Sequence, residues 1–83
     1  MQSKASFTLT ISKVNELVFQ GDAVSVTLPG SEGELTLLAH HEPIITLLSR
    51  GTITIHTPES ERTTFEIEKG VLEASNGQVT VLI

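Results

Sequence analysis

Apolar and polar residues alternate along most of the chain. Phe7, Leu9 and Ile11 alternate with Thr8, Thr10 and Ser12, a period of two that places the apolar set on one face of a strand. Leu17 to Phe19 forms a short second run, ended by Gly21-Asp22. Val24, Val26 and Leu28 then alternate with Ser25 and Thr27. Pro29-Gly30-Ser31-Glu32-Gly33 reads as a five-residue loop whose two glycines permit positive φ. Leu35 and Leu37 carry the alternation on to Ala39. It breaks at His40-His41-Glu42-Pro43, because Pro43 has no amide hydrogen for a ladder and biases Glu42 towards extended geometry. Ile44, Leu47 and Leu48 are spaced like one helical face, yet few residues separate Pro43 from Gly51. A short strand and a single turn both fit.

Past Ser49-Arg50-Gly51 the period of two returns. Ile53 and Ile55 share a face, and Pro58-Glu59-Ser60-Glu61-Arg62 makes a polar turn. Phe65 and Ile67 precede Lys69-Gly70, and Val71-Leu72 begins another run. Asn76-Gly77 carries a hairpin signal, since both residues tolerate the positive φ of a type I′ turn. Val79, Val81 and Ile83 close the chain. Eight to ten short strands at this spacing predict an all-β fold, a β-sandwich or flattened barrel, over 1–83 as one domain. No repeat, linker or heptad interrupts it.

Composition agrees. Val, Ile and Thr together supply 25 of the 83 residues, and branched side chains suit a pleated surface better than a helix. The net charge is −5, which argues against binding a nucleic-acid backbone, a task that needs a basic patch. Cysteine is absent, so disulfides, thiolate nucleophiles and cysteine–zinc sites are excluded together. No apolar run reaches the about 18 residues of a membrane span, and MQSKASFTLT lacks the apolar core of a signal peptide. An intracellular location is expected.

Candidate chemistry is sparse. His40, His41, Glu42 and the distant His56 raise a metal site, but adjacent residues of an extended chain point to opposite faces. Glu32 and Glu34 flank Gly33 in a turn where neither carboxylate would be desolvated enough for acid–base work. The same stretch has no lysine and cannot serve as a phosphate cradle. Lys69, expected at a hairpin, offers the alternative of a biotinyl or lipoyl carrier domain modified on that lysine. The expectation is a protein with no catalytic residues, no metal and no cofactor.

Pro29-Gly30-Ser31-Glu32-Gly33-Glu34-Leu35 resembles the Gly-Ser-Glu-Gly-Glu-Leu loop of the epsilon subunit of F-type ATP synthases. Other stations agree in order and spacing: Phe19-Gln20-Gly21, His41-Glu42-Pro43 followed by aliphatics and Thr46, Arg50-Gly51, Gly70-Val71-Leu72-Glu73, and Asn76-Gly77-Gln78-Val79-Thr80-Val81-Leu82. Ala39-His40 replaces the family's usual Pro-Gly before its aliphatic run, and the C-terminal helical hairpin of many bacterial members is absent from this sequence.

The resemblance implies a ten-stranded β-sandwich of two five-stranded sheets at the foot of the rotating central stalk. It implies a non-catalytic subunit that binds the gamma subunit and the membrane c-ring. That subunit couples proton or sodium flow to gamma rotation and ATP synthesis, at the cytoplasmic face of the bacterial cell membrane. By motif position, the ring-facing candidates are Ser31, Glu32, Gly33 and Glu34. The gamma-facing candidates are His41, Pro43 and Thr46. The family's ring loops are basic, and a carboxylate on a tight loop can meet a guanidinium bidentately.

Overall fold

The computed structural model describes residues 5–83; residues 1–4, part of the stretch read for a leader, lie outside it. Nine strands follow one another: β1 (Phe7–Lys13), β2 (Glu16–Ala23), β3 (Ser25–Gly30), β4 (Gly33–Leu38), β5 (Ile44–Leu48), β6 (Gly51–His56), β7 (Arg62–Ile67), β8 (Gly70–Ser75) and β9 (Gln78–Leu82). They hydrogen-bond in the order β2-β1-β9-β8-β5-β3-β6-β7, with β4 on the other edge of β3. Among the described residues only β1 and β9 pair in parallel.

One apolar face per strand builds the core. Leu9, Ile11, Leu28, Ile53, Ile55, Leu72, Val79 and Val81 are all fully buried in a single cluster. Drawn flat, the eight strands of the main path would set β2 and β7 roughly 34 Å apart. Instead Phe19 of β2 and Phe65 of β7 pack edge to face with ring centroids 6.2 Å apart. The sheet therefore curls over its own inner face until its first and last strands meet. It makes one layer of five strands, β2-β1-β9-β8-β5, and one of four, β7-β6-β3-β4. The all-β sandwich is as expected, with nine strands rather than ten among the described residues.

The fold turns its corner through a bent ribbon. Leu48 pairs with Gly70 and Gly51 with Ile67 in one common register, which runs from Ile44–Ala74 to His56–Arg62. Between these pairs the ladder opens at Ser49-Arg50 and Glu68-Lys69. Thus β5 and β6 act as one long strand, β7 and β8 as its partner, and the pair passes from one layer to the other, as strands do at sandwich corners. The segment 44–48, open between strand and turn on sequence alone, is a strand. Lys69 lies in this crossing and not at a hairpin tip, because β7 and β8 do not pair with each other.

Three local readings change. β2 continues through Gly21-Asp22 to Ala23, since Gly21 lies against the Phe19 ring, about 3.7 Å from where a Cβ would sit. The expected five-residue loop shrinks to Ser31-Glu32, because Pro29 and Gly30 belong to β3 and pair with Glu34 and Gly33. Asn76-Gly77 does reverse the chain, but positive φ occurs only at Gly77, at 69°, so the turn is not type I′. The pattern does not single out Val14-Asn15, the β1–β2 reversal, where Asn15 takes φ 63°, a region asparagine tolerates.

Candidate functional site

The β3–β4 turn gathers Ser31, Glu32, Gly33 and Glu34 at one tip, all exposed. Its two flanking glycines answer different demands. Gly33 takes φ 131°, closed to side chains, whereas a Cβ on Gly30 would stand 2.6 Å from the Gly33 carbonyl oxygen. The tip is tied down from behind. Ser31 N–H donates to the Leu47 carbonyl at 2.9 Å, and Ser49 N–H donates to the Pro29 carbonyl at 2.8 Å. The Ser49 hydroxyl adds a second bond to that carbonyl at 3.2 Å. Two carboxylates thus stand on a short, well-anchored turn.

His41 and Pro43 lie at the opposite end, roughly 20 Å away along β4. His41 sets its ring edge to face on Phe7, centroids 5.7 Å apart. Its Nδ1 is 3.4 Å from the Glu42 carbonyl, and its Nε2 is buried without a hydrogen-bond partner among the described residues. His41, Pro43 and Ile44 help line an open groove of about 710 Å3 on the side of the sandwich between β4 and β5. Thr46 is not in that groove. It pairs with buried Leu72 and shares its inward face, half-buried. His40 is exposed beside the groove, and His56 ends β6 across from Arg62. Among the described residues no three histidine, aspartate or glutamate side chains converge.

A surface the sequence reading did not assemble lies on the outer face of the five-stranded layer. Leu47, Val71 and Leu82 are in register across β5, β8 and β9, and Ser12 and Leu17 continue the row across β1 and β2. Leu47 is 62% exposed, Leu82 55% and Leu17 58%. Leu17 reaches this face because of a bulge. Ile11 pairs with Phe19 and Ser12 with Leu17, so Val18 is the extra residue that flips Leu17 outwards. The row starts beside the acidic tip, through the Ser31–Leu47 bond. Its signal in the sequence is the doubled apolar pair, Leu47-Leu48, Val71-Leu72 and Val81-Leu82, where one-sided burial calls for alternation.

The profile of the ATP synthase delta/epsilon chain β-sandwich domain matches residues 6–83. The chain belongs to this family. It is 41% identical over 75 residues to the ATP synthase epsilon chain of Sulfurimonas denitrificans, covering 90% of this chain and 58% of that one. To the epsilon chain of a Nitratiruptor species it is 40% identical over 67 residues, covering 81% and 52%. The chain therefore spans little more than half the length of these relatives. In fold it is similar to a chain of the Euglena gracilis mitochondrial ATP synthase complex of OSCP, F1 and c-ring. The TM-score there is 0.88 at 23% identity, with 99% of this chain and 52% of that one covered. A chain of the Tetrahymena thermophila mitochondrial ATP synthase central stalk and c-ring gives 0.78 at 13% identity, with 98% and 65% covered. Nothing in these likenesses favours a lysine-modified carrier.

Proposed function

We propose that the chain is a non-catalytic central-stalk subunit of an F-type ATP synthase. It acts as one domain that joins the c-ring to the gamma subunit, so that ring rotation driven by protons or sodium ions turns gamma. The observation that carries this reading is the family match along residues 6–83. Ser31, Glu32, Gly33 and Glu34 face the basic ring loops, on a turn whose backbone anchors suit it to pass on torque. His41 and Pro43 contribute to the gamma contact, and half-buried Thr46 supports it from the inward face of β5. The apolar row Leu47-Val71-Leu82 extends it, since a permanent contact removes apolar area from water. The complex lies at the cytoplasmic face of the bacterial membrane.

The test is co-expression with gamma and the c-ring from the same source. The chain is expected to be retained through purification of the assembled complex, and failure of the wild-type chain to be retained would overturn the reading. Leu47→Ser with Leu82→Ser is expected to weaken retention on gamma while leaving the melting temperature within a few degrees, because both side chains are already exposed.

A further inference from the structure

The chain has two asparagines, each in a strand-to-strand turn: Asn15 before Glu16, and Asn76 before Gly77. They differ in what surrounds the following peptide nitrogen. Asn76 and Gly77 are both exposed, and a Cβ built on Gly77 would meet nothing within 4 Å. The Gly77 carbonyl is held by the Thr8 N–H at 3.0 Å, but among the described residues no turn hydrogen bond engages the Gly77 amide nitrogen. That nitrogen is unhindered, solvent-facing and next to a side-chain carboxamide. At Asn15 the next nitrogen belongs to Glu16, whose side chain crowds the approach and whose backbone is paired with Lys13.

We propose that Asn76 is a site of spontaneous deamidation that converts the β8–β9 turn to an aspartyl or isoaspartyl form. The Gly77 amide loses its proton to solvent, and its nitrogen attacks Asn76 Cγ. A carbon–nitrogen bond forms, the bond to the side-chain nitrogen breaks, and ammonia leaves with the proton. Water then opens the resulting five-membered imide. Opening at the side-chain carbonyl gives aspartate. Opening at the main-chain carbonyl gives isoaspartate, with the chain running through the β-carbon. No oxidant or enzyme is needed, only water.

The consequence follows from where the turn sits. The bond from Thr8 N–H to the Gly77 carbonyl adjoins the parallel β1–β9 ladder, which begins at Thr8–Gln78. An extra backbone carbon at position 76 lengthens a two-residue turn and shifts that carbonyl. The isoaspartyl form therefore loosens the attachment of the β1–β2 hairpin.

To test this, the intact chain is held at neutral pH and body temperature, then cut with trypsin. Cleavage after Lys13, Arg50 and Lys69 puts Asn15 in the peptide Val14–Arg50 and Asn76 in Gly70–Ile83. The expected result is the mass gain of an amide-to-acid exchange in the first peptide, with isoaspartate detected by methyltransferase labelling, and none in the second. Asn76→Gln abolishes it. Hydrogen exchange at Thr8 speeds up in the converted fraction. An unchanged Gly70–Ile83 segment in the folded chain, while the same free peptide converts alongside, would overturn the proposal. Equal conversion at Asn15 would also overturn it.

Discussion

His41 and Glu34 place their polar groups in opposite settings, and substitutions at the two have different expected costs. The buried Nε2 of His41 has no partner among the described residues, and a buried unpaired polar group costs about 1–3 kcal/mol. Its ring also packs edge-on against Phe7, a contact of about 0.5–1.5 kcal/mol beyond the area it buries. His41→Phe keeps the ring and removes the orphan nitrogen, so chemical denaturation is expected to show equal or higher stability. His41→Ala loses the ring and is expected to cost about 1–2 kcal/mol. Stabilities in the reverse order would mean that the imidazole nitrogen contributes to the fold. Glu34 is exposed on the outer edge of β4, so Glu34→Lys is expected to change domain stability by less than about 0.5 kcal/mol. Across a contact with a basic loop the reversed charge costs several kcal/mol. The readout is ion-driven ATP synthesis in membrane vesicles beside Glu61→Lys, a control on the exposed β6–β7 turn. Reduced synthesis is expected for Glu34→Lys alone; wild-type synthesis in both variants would remove Glu34 from the ring contact.

At the level of strands and turns, close backbone approach matters more than charge. The Arg50–Glu68 pair spans the bend of the long ribbon at 3.9 Å with both side chains more than four-fifths exposed. Such pairs contribute about 0–1 kcal/mol, and Arg50→Ala is expected to leave the melting curve nearly unmoved. Gly30→Ala should do far more, because its methyl would meet both the Gly33 carbonyl and Leu35 Cδ2 at 2.7 Å or less. Overpacking of that kind costs about 1–3 kcal/mol, and a thermal melt of the variant checks it. The strands that bury one face were legible in the sequence, since Phe7–Ile11, Val26–Leu28 and Ile53–Ile55 alternate cleanly. β5 was ambiguous because Ile44-Ile45 and Leu47-Leu48 are apolar on both faces, so its period of two is hidden. The tip residues were found by motif, while the outer row was not: its register joins residues from Leu17 to Leu82, and no local pattern reports a pairing so distant. The bend at Ser49-Arg50 escaped for the same reason, being set by which neighbour each half of the strand finds.

Seen as a whole, the sandwich has two unlike outer faces. Thr36, Thr27, Thr54 and Thr64 stand in register across β4, β3, β6 and β7, with Thr27 and Thr36 hydroxyls hydrogen-bonded at 2.9 Å. That outer face is polar, whereas the other carries the leucine row, so the molecule has one polar side and one apolar side suited to a partner. The parallel β1–β9 pairing has a further effect, on the order of folding. The bent ribbon closes through short loops, because its strands follow one another in the chain and share one register. Thr8 and Gln78, by contrast, meet across nearly the whole sequence. Closing that distance carries an entropy cost that rises with the logarithm of loop length and gives no return until β9 exists. Folding kinetics should therefore show conservative truncations in the ribbon, such as Ile53→Val, slowing folding. Val79→Ala and Leu9→Ala should mainly hasten unfolding. During synthesis, the β1–β2 hairpin emerges before its β9 partner and waits undocked with Phe7, Leu9 and Ile11 uncovered. For that interval this hairpin is open to aggregation or chaperone capture.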